Sequence, residues 1–497
     1  MEGFAELFQP AVLFPWIAGM VFGVFVGATP GLTATMAVAL IVPVSYRLDE
    51  PIAGLAMIIG VSFTAIFSGD IPATHLRIPG TPASAAATLD GHEMAKKGRA
   101  EFALRLDLFC SAIGGLIGVL ALMLVAPQLA KFALKFSNFE YFWLGICGLC
   151  ISAAVSQTGL NRGLIAVAIG MLLSTIGVDD QGAVRFTFGS LDMYDGVQLI
   201  PAMIGLFGIS EVMRYVARNG KAQEGDVPKK PPKEESGKAL TTIWRHKWTA
   251  LKSAALGTVI GALPGAGADV AAWGAYGMAQ KTSKNGKRFG KGIEEGVIAP
   301  TSANNAAVGG AWIPALVFGV PGDAVTAIVL GAFMVYEIVP GPQIFERSGD
   351  QVRAIFQIAL VTQFLLLGAG WAGIKLFGRI LKLPRGAVMV AVTVFSVVGA
   401  YAMRDNVFDI WIMLAFGVLG FFLESKRIPL APLILGLILG PMVEENFRAG
   451  LIKESGNLAL FFTRPICLVL ILILAGAFAA GPLFRKWGGG KTAISSQ

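Results

Sequence analysis

Charged residues are scarce in this chain. Aspartate, glutamate, lysine and arginine make up 14% of its 497 residues, whereas soluble globular proteins contain about 25%. The hydrophobic fraction is 55% and the mean hydropathy is +0.68. So few charges cannot cover a water-facing surface. This excludes a soluble enzyme, a disordered protein and a nucleic-acid-binding protein, although the net charge is +8. The composition predicts an integral membrane protein.

Cysteine and histidine are also rare. Four cysteines cannot build a disulfide framework in a chain of this length, and three histidines leave little for a multi-metal site. The phosphate-binding pattern G-x-x-x-x-G-K-[ST] is missing, so ATP hydrolysis within this chain is not indicated. We therefore expect neither enzymatic activity nor a bound cofactor.

Long charge-free runs are abundant. About 20 apolar residues cross a bilayer as a helix, and runs of that scale recur along the chain. Only helices and closed barrels span membranes, and barrel strands would alternate every second residue. The runs therefore predict an all-α, polytopic membrane protein with about a dozen transmembrane helices. A hydrophilic segment at residues 218–252, rich in lysine and arginine, separates a first repeat (1–217) from a second (253–497) and is expected in the cytoplasm.

Two motifs occur once in each half, in the same order. Residues 27–31 (GATPG) resemble residues 261–265 (GALPG). Residues 71–80 and 313–322 share Ile-Pro-Ala followed, at the same spacing, by Pro-Gly. Two ordered pairs with matched internal spacing predict a duplication rather than chance prolines.

The distribution of cations predicts that the repeats are inverted. The loop after the first motif carries one cation, Arg47, in the first half, but five between residues 281 and 291 in the second. After the second motif the bias reverses. Equivalent loops with opposite bias are expected on opposite faces of the membrane.

Inverted repeats with Gly/Pro-interrupted hydrophobic segments are typical of secondary transporters. We expect broken or re-entrant helices around Pro30, Pro79, Pro264 and Pro321 that meet near the midplane, and a further interruption at Pro314. A channel, or an intramembrane enzyme, is the alternative.

The interruptions would supply the binding groups. A helix N-terminus can hold a carboxylate through its free N–H groups. Free carbonyl, hydroxyl and amide oxygens suit Na⁺, the expected coupling ion, with H⁺ as the alternative, and glycine allows close backbone approach. The candidate substrate- and ion-binding residues are Thr29, Pro30, Gly31, Thr33, Thr35, Arg77, Pro79, Gly80, Thr81, Ser84, Pro264, Gly265, Gly267, Asp269, Asn304, Asn305, Pro321, Gly322 and Asp323.

Several of these residues have two interpretations. Arg77 could grip a carboxylate bidentately or could extend to the membrane interface. Asp269 and Asp323 could be ion ligands or helix caps. Asp70 is a functional candidate because an ionisable residue in a membrane segment is costly, whereas His75 is either a packing residue or a titrating group.

Residues 27–32, 78–100, 263–267 and 303–307 resemble the large membrane subunit of the tripartite tricarboxylate transporters, the TctA family. The resemblance covers almost the whole chain. It implies a bacterial inner-membrane permease that imports citrate-like or smaller carboxylates, driven by a cation gradient, usually Na⁺, with an elevator-like movement. Departures from the common family pattern at residues 75–77 and 300–302 favour a carboxylate other than citrate.

The resemblance also implies partners. These are a small four-helix membrane subunit (TctB-like), a periplasmic substrate-binding protein (TctC-like), the organic carboxylate itself and the lipid bilayer. The complex could form a homodimer, and no nucleic acid is expected as a partner. The substrate, the coupling ion and the stoichiometry are left open by the sequence.

Overall fold

The computed structural model describes residues 2–156, 158–179, 181–218, 238–380 and 384–488. Within these residues the only strands are Gly177–Val178 and Val184–Arg185, which form one antiparallel pair. Nine of the described helices are long and apolar enough to cross a membrane, and four shorter apolar helices accompany them. The prediction of an all-α, polytopic membrane protein is confirmed.

Most connections between the described helices are short, but residues 175–198, which contain the strand pair, separate the ninth helix from the tenth. In chain order the helices are α1 (Glu2–Glu6), α2 (Pro10–Ala28), α3 (Ala34–Tyr46), α4 (Pro51–Ser68), α5 (Asp70–Leu76), α6 (Ala85–Lys96), α7 (Ala100–Ala133), α8 (Asn138–Val155), α9 (Leu160–Ser174), α10 (Leu199–Ile204), α11 (Ser210–Ala217), α12 (Ala239–Arg245), α13 (Lys247–Gly261), α14 (Gly267–Thr282), α15 (Glu295–Phe318), α16 (Ala324–Val335), α17 (Ile344–Arg347), α18 (Gly349–Ile380), α19 (Arg385–Ala402), α20 (Val407–Ser425), α21 (Leu430–Lys453), α22 (Ala459–Thr463) and α23 (Pro465–Gly488). A single π-helical turn, Gly205–Ile209, joins α10 to α11.

A central bundle holds the interrupted helices. It consists of α2 to α7, α13 to α16 and α18, and its most extensive helix contacts are α7 with α15, α2 with α4 and α13 with α15. The last two pairs occupy equivalent places in the two halves. Two flanking groups pack around it. One combines α8, α9, α21 and α23, and the other combines α10, α11, α19 and α20. Each flanking group therefore contains helices from both halves of the chain.

Glycines let the paired helices approach closely, and they do so at equivalent positions. On α2, Gly23 lies so close to α4 that an added Cβ would be 3.0 Å from the Val61 Cα. On α13, Gly257 would place a Cβ 2.7 Å from the Ala303 Cα of α15. Real Cβ atoms do not approach other atoms this closely, so only glycine fits at these crossings.

The two halves run in opposite directions. Tyr336, which follows α16, donates its hydroxyl hydrogen bond to Ser45 at the end of α3, over 3.0 Å. At the other end, Lys97 donates to the Lys291 carbonyl, and Arg99 pairs with Glu294 at 3.0 Å. Each contact therefore joins a loop of one half to a loop of the other half that is not its counterpart in the repeat. This is the arrangement expected when the two halves are antiparallel.

The length of α15 separates these two loop contacts. Its first residue, Glu295, adjoins the 291–294 loop, while the Leu316 carbonyl accepts from Gly341 in the loop after α16. At 1.5 Å per residue the ends are about 30 Å apart, the thickness of a hydrocarbon core. The packing is that of inverted repeats, and which face is cytoplasmic stays a prediction.

The structure differs from the predictions at the linker boundary and at one predicted break. Most of residues 218–252 falls outside the described residues, but α13 begins at Lys247, before the boundary proposed at 253. The long run at residues 7–46 divides into α2 and α3 as expected.

The expectation that Pro314 interrupts its segment was wrong: α15 continues through it to Phe318. A proline inside a membrane helix is tolerated when packed neighbours compensate, and Gly319, in the left-handed region, ends the helix instead.

Candidate functional site

Four interruptions define the candidate site, and they lie in two pairs. The first break pair contains residues 29–33 and 77–84, and the second contains residues 262–266 and 319–323. An added Cβ at Gly80 would overlap the Gly27 carbonyl oxygen and lie 2.8 Å from the Gly69 Cα. At Gly322 it would lie 2.5 Å from the Gly261 carbonyl oxygen and 2.6 Å from the Ala311 Cα. The two pairs are thus closed by the same backbone contact.

The backbone conformations of the breaks also correspond. Gly31 and Gly265, which follow the paired prolines Pro30 and Pro264, have φ values of +94° and +76°. Both values lie in the left-handed region that glycine adopts without strain. The sequence therefore predicted these two turns correctly from Pro-Gly alone.

Arg77 occupies a helix end rather than the buried centre of its break. Its φ is +58°, matching Gly319 at +68° in the other half, and each N–H donates to the carbonyl four residues earlier. The Arg77 side chain is exposed. This placement agrees with the interfacial interpretation of Arg77 and not with a bidentate grip inside the bundle.

Three threonines border the first break. Thr33 caps α3 by accepting a hydrogen bond from the Met36 N–H at 3.2 Å, and Thr29 donates to the Phe25 carbonyl at 2.7 Å. Thr35 lies in the first turn of α3 and is half-buried. The hydroxyls of Thr29 and Thr33 are therefore engaged in local bonds.

The second break pair brings two carboxylates together. Gly267, with φ +64°, would place a Cβ 3.0 Å from Asp269 Oδ1 and 3.1 Å from the Asp323 Cβ. Asp323 caps α16, since its Oδ1 accepts from the Thr326 N–H at 2.8 Å. Both carboxylates are half-buried. Asp323 is therefore a helix cap, as one of its two interpretations held, and it borders the same small space as Asp269.

The first break pair is lined by buried hydroxyl and amide groups. Thr81 and Ser84 are hydrogen-bonded to each other at 2.9 Å between their hydroxyl oxygens, and Gly69 faces both. Asn304 and Asn305, on α15, have no exposed surface. Both amide atoms of Asn305 and the Oδ1 of Asn304 lack a hydrogen-bond partner. Since buried polar groups are nearly always paired, these atoms are available to a ligand.

Asp107 is a residue of this site that the sequence did not indicate. Its carboxyl is a near neighbour of that of Asp70, and each residue is 1% exposed. Asn304 Nδ2 donates to Asp70 Oδ2 at 3.4 Å. Asp107 precedes the apolar part of α7 and follows Arg105, so in sequence it resembles an interfacial charge. Its burial is the signal that identifies it.

Within the described residues, no group of three or more histidine, cysteine, aspartate or glutamate side chains could hold a metal ion. The oxygen-rich groups around the breaks are typical of alkali-cation or substrate binding rather than of a transition-metal centre.

A family model described as the tripartite tricarboxylate transporter TctA family matches residues 13–435. The chain belongs to the TctA family. The match includes all four breaks and both carboxylate pairs, and it makes this TctA family member a multi-pass membrane protein and a subunit of a tripartite tricarboxylate transporter. The resemblance seen in the motifs is confirmed.

Two proteins of Agrobacterium vitis are similar to this TctA family member. One, described as an uncharacterized 52.8 kDa protein in the TAR-I ttuC' 3' region, is 32% identical over 479 residues, covering 95% of this chain and 93% of the relative. The other, described as an uncharacterized protein in the TAR-II ttuC' 3' region, is 34% identical over 215 residues, covering 43% of this chain and 89% of the relative. No solved structure matches.

Proposed function

We propose that this TctA family member is the large permease subunit of a secondary transporter that imports tricarboxylates or related organic acids across the bacterial inner membrane, driven by a Na⁺ or H⁺ gradient. The main support for the proposal is the geometry of the two break pairs. In each pair a glycine packs closely against the backbone of the other break, and polar side chains lie beside it. Unpaired polar atoms within a bilayer cost several kcal/mol. A transported ligand that completes their hydrogen bonds removes that cost during each cycle.

Polar groups beside both break pairs would contact the transported ligands. The Nδ2 of Asn305 has no partner and offers a hydrogen-bond donor to a substrate carboxylate. The unpartnered oxygens of Asn304 and Asn305 offer ligands to a hard cation. Asp269 and Asp323 repel an anion directly, so a cation between them would be needed before a carboxylate approaches. This order makes uptake dependent on the cation.

We further propose that the central bundle moves against the two flanking groups, as in an elevator. The flanking groups support this assignment because each combines helices of both halves that pack on one another. A small four-helix membrane subunit would pack on these groups, and a periplasmic binding protein would deliver the substrate. The complex could dimerise through the same flanks.

The test is gradient-driven uptake. The chain, reconstituted in liposomes with its two partner subunits, should accumulate a labelled organic acid only when a Na⁺ or H⁺ gradient is imposed. Replacing Asn304 and Asn305 together by alanine should abolish uptake while membrane insertion is retained. The matched control is Asn285→Ala, at an exposed loop position, which should leave uptake unchanged.

Three results would contradict the proposal. Uptake that is indifferent to both gradients would exclude a secondary transporter, and flux that never saturates with substrate would favour the channel alternative. Unchanged uptake kinetics in the double asparagine variant would remove these residues from the site.

A further inference from the structure

Two carboxyl groups meet inside the central bundle. Asp70 begins α5 and Asp107 lies on α7, and each is 1% exposed. The two carboxyl groups are near neighbours, because α5 packs beside α7. The pair is separate from Asp269 and Asp323; the sequence indicated Asp70 as a functional candidate but did not indicate Asp107.

Unpartnered oxygens surround this pair. Asp70 Oδ1, Asp107 Oδ2 and the Oδ1 of Asn304 have no hydrogen-bond partner. Asn304, which has no exposed surface, donates through its Nδ2 to Asp70, and the Ser84 hydroxyl lies beside Gly69, the residue before Asp70. Oxygen atoms from four elements therefore converge: α5, the turn before α6, α7 and α15. Together with the two carboxyl groups, the Asn304 and Ser84 oxygens form a ligand set for a hard cation.

The charge of the pair limits what can occupy it. Two adjacent carboxylates cannot both be ionised in a low-dielectric interior without a counter-charge. With one shared proton the pair carries a single negative charge. With both groups ionised and one Na⁺ bound, the total is again a single negative charge. Exchange of H⁺ for Na⁺ therefore leaves the buried charge unchanged.

We propose that Asp70 and Asp107 form a monovalent-cation site at which Na⁺ displaces a shared proton, with Asn304 and Ser84 as neutral oxygen ligands. In this step the O–H bond of the protonated carboxyl breaks, its electron pair stays on the oxygen, and the proton leaves to water. Na⁺ then binds both carboxylates. One proton is released for each Na⁺ that binds, and the role of this exchange in coupling rests on the proposed transport function.

Other titratable groups lie on the elements packed around the pair. Cys110 follows Asp107 by one turn of α7. His75 on α5 stacks on Phe377, and His92 on α6 is hydrogen-bonded with the Thr74 carbonyl. Glu295, at the start of α15, lies near His246. Helices α2 and α4 carry no ionisable residue. The remaining ionisable residues on these elements lie near helix ends or on other partners and are Arg77, Asp90, Glu93, Lys96, Glu101, Arg105, Lys131, Asp350, Arg353, Lys375 and Arg379.

Sodium binding can be tested without transport. The purified full chain in detergent is titrated with NaCl against choline chloride at constant ionic strength, and its thermal unfolding is followed at several pH values. Na⁺ should raise the unfolding temperature, and its apparent affinity should tighten by about tenfold per pH unit while the pair holds a proton, because a proton must leave. Asp70→Asn and Asp107→Asn should each abolish the Na⁺ response, whereas the exposed control Asp350→Asn should keep it.

A second measurement covers the case in which the asparagine variants do not fold. In weakly buffered solution, adding NaCl to the native chain should release one proton per bound Na⁺, recorded with a pH dye. A Na⁺ affinity that does not change with pH, a Na⁺ response retained in both variants, or a stronger response to Mg²⁺ or Ca²⁺ would each overturn the proposal. Proton release without gradient-driven uptake would instead reject the proposed transport function and leave the site intact.

Discussion

Asp90 joins the two halves of the chain where the loops of residues 96–99 and 291–294 meet. It has no exposed surface. Its Oδ1 accepts hydrogen bonds from the Gly292 and Ile293 N–H groups at 2.7 and 2.9 Å. Its Oδ2 accepts from the Tyr276 hydroxyl at 2.8 Å and from the Gly290 N–H at 2.9 Å. One carboxylate thus holds a loop of the second half on a helix of the first.

The substitution Asp90→Asn keeps the shape of this side chain and changes only its hydrogen bonding. The new NH₂ group fits best on the Tyr276 side, where the hydroxyl can turn to accept, but it leaves the Gly290 N–H without an acceptor. An unsatisfied buried donor costs about 1–3 kcal/mol. The other three hydrogen bonds are then made to a neutral amide instead of a charged carboxylate, which weakens each by about 1 kcal/mol. We expect a destabilisation of about 4–6 kcal/mol.

Thermal unfolding of the detergent-solubilised chain measures this effect. Asp90→Asn should unfold several degrees below the native chain. The control is Glu93→Gln on the same helix, whose exposed ion pair with Lys96 at 2.9 Å is worth under about 1 kcal/mol. If Asp90→Asn unfolds no earlier than Glu93→Gln, the four hydrogen bonds do not hold the halves together and the reasoning fails.

The remaining predictions concern packing and orientation. Gly80→Ala and Gly322→Ala should each destabilise the chain by about 1–3 kcal/mol and reduce uptake, because a Cβ cannot fit between the breaks. The control Gly277→Ala, with open space around it, should change neither stability nor uptake. Equal behaviour of the three variants would refute the close approach. Single cysteines replacing Lys96 and Lys284 should both react with an impermeant maleimide from the cytoplasmic side, since their loops adjoin at the end where Arg99 pairs with Glu294; labelling from opposite sides would refute the inverted arrangement.

The positions of the breaks could be predicted because backbone geometry is a local property. Proline cannot donate to a helix and glycine alone adopts the left-handed region without strain, so Pro-Gly marks a turn wherever it occurs. The same reasoning failed at Pro314, which has no glycine directly after it and continues within α15. Proline alone bends a packed membrane helix without ending it, and Gly319 decides where the helix stops.

The roles of Asp90 and Asp107 could not be predicted, because both depend on contacts distant in sequence. Tyr276, one donor to Asp90, lies 186 positions away, and the loop that supplies the others is further still. Asp107 meets Asp70 only because α7 packs beside α5. A single sequence reports charge and periodicity, whereas these two carboxylates are defined by the neighbours that remove them from water.

The two halves share a backbone but differ in chemistry, and this difference bears on mechanism. Thr81 and Asp323 are equivalent positions, since each directly follows the Pro-Gly of the second motif. Asp70 and Trp312 are also equivalent, since each lies two residues before the proline of Ile-Pro-Ala. The backbone contacts at Gly80 and Gly322 are nevertheless equivalent. Equivalent backbones allow the inward- and outward-facing arrangements to have similar energy, because each half can adopt the shape of the other. For the proposed transport, the different side chains would let the two break pairs contact the cation and the carboxylate in different ways.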